Sequence, residues 1–374
     1  MPRPAALVFN CHITGLAVAR SLAARGVPVI ALDPDPRGLG QASNAVRERL
    51  PCPNPLDDEA GFVEWLVGHA AAWGDRPVLF PTNDEWVLAV ARHADRLRPH
   101  FRIPFSAGPA LEEILDKRTL YARCAALGIP IPATYPLDDP SATARRIRYP
   151  AVVKPAEQRR FYDRFGVKVF QADDAEALVR FAADARDLAC VAQEVVAVPP
   201  GGFHSLGAYA GPTGTVHGFV GRKLEQYPEG FGTACLVTGE RVDEIVERGA
   251  AVLRAFGYQG IAEVEFLWDP VRGEHLLIDV NPRVWKWIGL PIASGADLPW
   301  LAYADSIGEA TPAPAPRYGL RWIYERDYAV LARRRPLFPA SGDVVLAVWD
   351  PADPGPFAQL IENEGPGGRY YCAC

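Results

Sequence analysis

Two short apolar runs, 261–268 and 277–283, carry polar residues at every second position. Side chains of a strand alternate between faces, so Glu263 and Glu265 share one face, and Asp279, Asn281 and Arg283 share one face of the second run. Asp269-Pro270-Val271-Arg272-Gly273 between the runs is a turn sequence. The runs therefore predict a hairpin. With Glu265 opposite Asp279, all five polar residues lie on one side, and Ala262, Val264, Ile278 and Val280 point into packing.

The rest of the chain reads as alternating strands and helices. Residues 5–33 give strand, turn, helix and strand, a βαβ unit whose helix stops at Gly26. It lacks G-x-G-x-x-G, which argues against a dinucleotide site. Cys11 and His12 fall at the carboxyl end of its first strand, where open α/β sheets bind ligands, although turn and capping roles account for them as well. A helix over 62–73, a strand over 77–80 and a helix to about 96 follow. Asn83, Asp84 and Glu85 at that strand-to-helix junction are open to two readings, a substrate contact or helix capping. Downstream, the pattern predicts a helix over 110–127 bearing Lys117 and a strand ending at Lys154. A basic loop over 156–166 comes next, then strands over 167–170 and 190–196, with a helix over 174–186 between them. A hairpin over 204–221, the basic pair Arg222-Lys223 and a helix over 241–256 precede the acidic hairpin. Trp285 and Trp287 after it suit either a substrate wall or the core. Residues 309–316, rich in proline and alanine, read as a linker or surface segment.

At 374 residues the chain has room for two or three packed units. A net charge of −6 argues against a general nucleic-acid or membrane-surface binder, and no apolar run approaches the roughly 18 residues a membrane span needs. The seven scattered cysteines read as reduced thiols of a cytoplasmic protein. Cys372 and Cys374 are a weak candidate for metal binding or a disulfide.

Carboxylates crowded on one sheet face repel one another, and a divalent cation relieves this. Glu265, Asp279 and Asn281 offer two carboxylates and an amide oxygen, a set suited to Mg²⁺; a plain solvated hairpin face is the competing reading. Arg283 on the same face can hold a phosphate or carboxylate bidentately.

The order of these features is informative: a helix with Lys117, a strand with Lys154, a basic loop, a strand with Gln193-Glu194, then Glu265-Phe266-Leu267 and Asp279-Val280-Asn281-Pro282-Arg283. It resembles the ATP-grasp superfamily over about residues 75–305, and within it the carboxylate–amine ligases related to D-aspartate ligase. The resemblance implies a mixed α/β and α+β chain: a Rossmann-like pre-ATP-grasp domain (1–106), a small lid-bearing subdomain (107–196), a large subdomain with the metal site (197–310) and a C-terminal extension (311–374). It implies ATP and Mg²⁺ as cofactors, with Mn²⁺ as a substitute. Its contacts to ATP would come from Lys117, Lys154, Gln193, Glu194, Val196 and His204, the last standing where relatives often carry an acid. Glu265, Asp279 and Asn281 would be the metal ligands, and Arg283, Arg222 and Lys223 would stabilise the reacting groups. The loop over 156–166 departs from the family's glycine-rich pattern, so either Arg159, Arg160 and Arg164 replace its backbone contacts or the loop serves the acceptor substrate, the first being favoured.

The implied reaction activates a carboxylate as an acyl phosphate and joins it to an amine, releasing ADP and phosphate. A phosphotransferase and a nucleotide-binding sensor remain as alternatives. The implied partners are a small-molecule carboxylate and amine, with neither nucleic acid nor membrane, and a homodimer is compatible with them.

Overall fold

A computed structural model describes residues 3–156, 158–339 and 342–365. Cys372 and Cys374 lie outside the described residues. The strands form three sheets. The first is parallel, in the order β3-β2-β1-β4, from β1 (Ala6–Phe9), β2 (Val29–Leu32), β3 (Glu48–Leu50) and β4 (Val78–Phe80). The first two of these and the helix Ile13–Ala23 are the expected βαβ unit. Strands β1, β2 and β4 are buried along their whole length, as a parallel sheet covered on both faces requires.

The second sheet is antiparallel, in the order β5-β8-β6-β7, from β5 (Thr134–Pro136), β6 (Ala151–Pro155), β7 (Phe170–Ala172) and β8 (Cys190–Glu194). Its core, which includes Val153, Phe161, Leu178 and Ala192, is drawn only from residues 135–192.

The third sheet holds seven strands, in the order β13-β12-β9-β10-β11-β14-β15. They are β9 (Phe203–Ala210), β10 (Val216–Tyr227), β11 (Thr233–Glu240), β12 (Gly260–Asp269), β13 (Glu274–Asn281), β14 (Arg321–Ile323) and β15 (Val344–Leu346). The helix Asp243–Ala255 covers one face of it, with Gly249 against Leu206 of β9. The other face meets the N-terminal domain: one core contains Val8 and Leu16 together with Trp285, Trp287 and Trp322.

Two expectations change here. The segment over 311–374 is not a separate extension, because β14 and β15 complete the large sheet, and Asp353 ties the C-terminal part to Arg20 of the first helix at 2.9 Å. β14 and β15, three residues each and partly exposed, carry too little alternation to be read from sequence. The segment after Ala156 is not a loop. Gln158–Phe165 is a helix, held by Phe161 and Phe165 against Phe170, by an Arg159–Asp163 pair one turn apart, and stopped at Gly166 with φ +70°. The want of glycine, read as an anomaly of a phosphate loop, is what a helix requires.

The large sheet has strand glycines with a specific purpose. The Trp285 indole lies directly over Gly207 on β9, and that of Trp287 lies over Gly221 on β10, 2.8 Å from where a Cβ would sit. Gly207→Ala is expected to destabilise the chain by about 1–3 kcal/mol, because the fully buried indole has nowhere to retreat. An exchange that ordinarily stiffens and stabilises a chain should thus lower the urea midpoint; an unchanged or raised midpoint would contradict this packing.

Candidate active site

A cleft of about 1700 Å³ runs between the small sheet, the large sheet and the carboxyl end of β4. Its floor is the acidic hairpin. β12 and β13 pair with Glu265 opposite Asp279 and Glu263 opposite Asn281, the register expected from alternation. Ala262, Val264 and Val280 are buried in the core behind. Ile278 differs: the register shifts after Glu265, and Ile278 faces the cleft instead of the core.

The hairpin face is densely connected. Asn281 Nδ2 donates to Glu265 Oε1 at 2.9 Å and to Glu263 Oε2 at 3.0 Å. Trp287 Nε1 donates to Glu263 Oε1 at 2.7 Å. Burial, then the neighbouring Glu265 charge, pushes the Glu263 carboxyl well above the usual range. Lys117, the first residue of its helix behind an Asp116 cap, pairs with Asp279 across the cleft. Two carboxylates on adjacent strands with an amide beside them form an all-oxygen donor set, which fits a hard divalent cation.

Lys154 closes the other side. Its Nζ donates to Gln193 Oε1 at 2.6 Å and to the Tyr121 hydroxyl at 3.2 Å, and Tyr121 in turn donates to the Ile278 carbonyl at 2.5 Å. Burial lowers the Lys154 ammonium to about 8, against the pull of Asp279. Gln193 Nε2 donates to Thr134 at 2.8 Å, so its side chain is fixed at both ends. Glu194 accepts from the Arg148 backbone at 3.1 Å and lines the cleft with Val196. Val152, Val196, Phe203, Leu267 and Ile278 make this end an apolar slot between two sheets, suited to a flat ring.

The remaining predicted residues separate by strand parity. Lys223 faces the cleft, its Nζ 4.5 Å from the Phe203 ring. Arg222 and His204, paired across β9 and β10, point to the opposite face. Arg222 binds Glu240 at 2.6 Å, and His204 packs edge-on to His275 at 5.2 Å. Burial, then the His275 and Arg222 charges, lowers the His204 imidazole to about 4, so it is neutral. Neither lines the cleft, so His204 and Arg222 are not placed for the expected ribose and catalytic roles. Adjacent residues on a strand cannot serve one face, and only the register decides which one does. Of the three arginines in 156–166, Arg159 and Arg160 line the cleft, whereas Arg164 is bound to Asp187 at 2.6 Å.

Arg283 reaches the N-terminal domain: its Nε donates to Asp84 Oδ1 at 2.6 Å. Asn83 holds the helix N-cap position without making a capping bond; its amide donates to Glu85 at 3.2 Å instead. Capping therefore does not account for these residues, and all three line the cleft. Sequence reading missed Lys286, which is buried beside Asp327 at 2.7 Å and Thr233 at 3.0 Å. The pair joins a residue of the hairpin's exit to one in the helix Glu325–Ala332, and no local pattern connects them. Cys372-Cys374 apart, the predicted thiol state stands: Cys11, Cys52, Cys124, Cys190 and Cys235 are free and buried. Among the described residues no helix is long and apolar enough to cross a membrane.

Residues 232–297, which hold the hairpin, match the family model of the carbamoyl-phosphate synthase L chain, ATP binding domain. Solved structures extend the likeness to most of the chain. Biotin carboxylase from Campylobacter jejuni, in complex with β-γ-ATP, aligns at a TM-score of 0.67 and 15% identity over 84% of this chain and 74% of that one. The chain has the ATP-grasp fold. The ATP-grasp arrangement is shared at similar distance with N5-carboxyaminoimidazole synthetase from Staphylococcus aureus (TM-score 0.65, 16% identity, 84% of this chain and 80% of that one). It is shared also with an L-amino acid ligase from Bacillus licheniformis (TM-score 0.63, 18% identity, 84% and 76%). No curated protein matches the sequence. Within this fold the small and large sheets are the two halves that enclose the cleft, and the parallel sheet is the domain that precedes them.

Proposed function

We propose that this chain is an ADP-forming carboxylate–amine ligase, working in the cleft between its sheets. The observation that carries the reading is the hairpin register. Glu265, Asp279 and Asn281 meet on one face, with Lys117 and Lys154 across from them and Arg283 at their end. The structures it resembles support a nucleotide and a magnesium ion: one N5-carboxyaminoimidazole synthetase is complexed with ADP, and a 2-oxoglutarate carboxylase domain with MgADP and bicarbonate.

In this reading the apolar slot beside Gln193, Glu194 and Val196 takes the adenine ring, and Lys154 and Lys117 take the phosphates. Glu265, Asp279 and Asn281 would hold Mg²⁺, which supplies charge neutralisation to the transferring phosphoryl group when bound. Lys117 already lies at Asp279, so it marks where positive charge is needed. Arg159 and Arg160 stand over the phosphate end from the helix that replaces the glycine-rich loop. Arg283, aimed by Asp84, and Lys223 stabilise negative charge on the reacting carboxylate. The protein contributes position and field rather than covalent bonds.

The reading is tested by offering the twenty proteinogenic amino acids and small carboxylic acids pairwise and measuring ADP and phosphate. Release that requires both partners, with a hydroxamate formed when hydroxylamine replaces the amine, is the expected result. Formation of AMP and pyrophosphate would exclude the mechanism. A stable phosphorylated product without amine capture would assign a phosphotransferase, and tight ATP binding without turnover a sensor.

A further inference from the structure

An acceptor amine reaches the cleft as an ammonium and must lose a proton before it can attack, so the cleft needs a carboxylate that is not already committed. A census of its carboxylates outside the acidic hairpin leaves few. Asp84 is held by Arg283, Asp116 by Arg118, Asp327 by Lys286 and Asp187 by Arg164, and Glu59, Glu113, Glu194 and Glu229 have arginine partners too. Within the hairpin, Glu265 and Asp279 face the metal position, and Glu263 is fixed by Trp287 and Asn281. Two remain, Glu112 and Glu85. Glu112 is exposed near the rim. Glu85 is partly buried in the cleft wall, where Asn83 steadies one oxygen at 3.2 Å, and it directly follows the residue that grips Arg283.

We propose that Glu85 receives the acceptor ammonium and is the base that removes its proton. The inference rests on the ligase reading above. The N–H bond of the ammonium breaks, and its proton goes to a Glu85 carboxylate oxygen. The freed nitrogen lone pair forms the C–N bond at the acyl carbon, the C–O bond to phosphate breaks with its electron pair going to the phosphate, and the second N–H proton of the nitrogen leaves on that phosphate, giving the neutral amide and hydrogen phosphate. Burial raises the Glu85 carboxyl above its ordinary value, ahead of the weaker opposing hydrogen bonds and the Arg159 charge. That makes it a better match for a proton from nitrogen than a solvated carboxylate would be. Asp84 and Glu85 thus divide the work at one corner. The first positions the guanidinium beside the reacting carboxylate, and the second serves the incoming amine.

The test compares the full-length chain with E85Q in two assays on the same amino-acid pairs. Amide formation should fall about a hundredfold, the scale of losing one general base. Trapping by hydroxylamine, which is already a neutral nucleophile near pH 7, should stay within about threefold. E85D, which keeps the carboxylate, should restore part of the amide rate. Amide formation by E85Q within about threefold of the unaltered chain would overturn the role of Glu85 while leaving the ligase reading intact. Equal loss of both assays in E85Q and E85D would also overturn it, since a purely structural residue gives that pattern. Failure of the unaltered chain to form either hydroxamate or amide would instead strike the ligase reading, and this inference with it.

Discussion

Asp279→Asn is expected to lower ADP release about a hundred- to a thousandfold, the range found when one preorganised charge-stabilising group is removed. The substitution keeps size and shape. It removes one of the two carboxylate charges of the proposed metal site and the anion that Lys117 pairs with. The chain should still fold, because the core behind β13 rests on Leu277 and Val280 rather than on Asp279. A steady-state assay at saturating ATP, together with a thermal midpoint, separates the two effects. Turnover within about threefold of the unaltered chain would remove Asp279 from the metal site.

The second large effect concerns Lys154 and pH. Burial brings its ammonium down to about 8. The charged form is the one that can hold a polyphosphate, so the charge is present below about pH 8 and is lost as pH rises through it. ATP affinity should therefore fall by about tenfold for each unit above that point, following the fraction protonated. Lys154→Met should bind ATP weakly at all pH values and show no such step. Calorimetric titration of ATP between pH 6.5 and 9.5 measures both. A step of the same size in the methionine variant would assign the titration to another group. A bound phosphate group would itself favour the ammonium, so the step should move upward when ATP is saturating.

How much of this was legible in the sequence depends on whether a local period existed to read. The hairpin obeyed a period of two, and the pairing of Glu265 with Asp279 followed from its polar positions, whereas the shift after Glu265 that turns Ile278 to the cleft left no trace in them. The βαβ start was legible because its strands are buried on both faces and its helix stops at a glycine. Arg222 and His204 were misplaced because alternation says that neighbours diverge but not which neighbour faces the cleft; that choice is set by the pairing of β9 with β12. The helix Gln158–Phe165 was hidden by expecting a phosphate loop where the chain has two phenylalanines one turn apart to pack. The contacts of Asp84 with Arg283 and of Lys286 with Asp327 join residues far apart in the chain, and composition carries no trace of them.

The Asp84–Arg283 pair has a mechanical meaning as well. It fastens the N-terminal domain to the acidic hairpin at the cleft, where a common hydrophobic core already joins that domain to the large sheet. The sheet of residues 134–194 has a core of its own. Two walls of the cleft are therefore a single anvil, and the third wall is a hammer joined to it by two stretches of chain and by the bond of Lys154 to Tyr121. Under the ligase proposal, that third wall could move as a unit over a nucleotide without opening either core and without disturbing the Asp84–Arg283 pair.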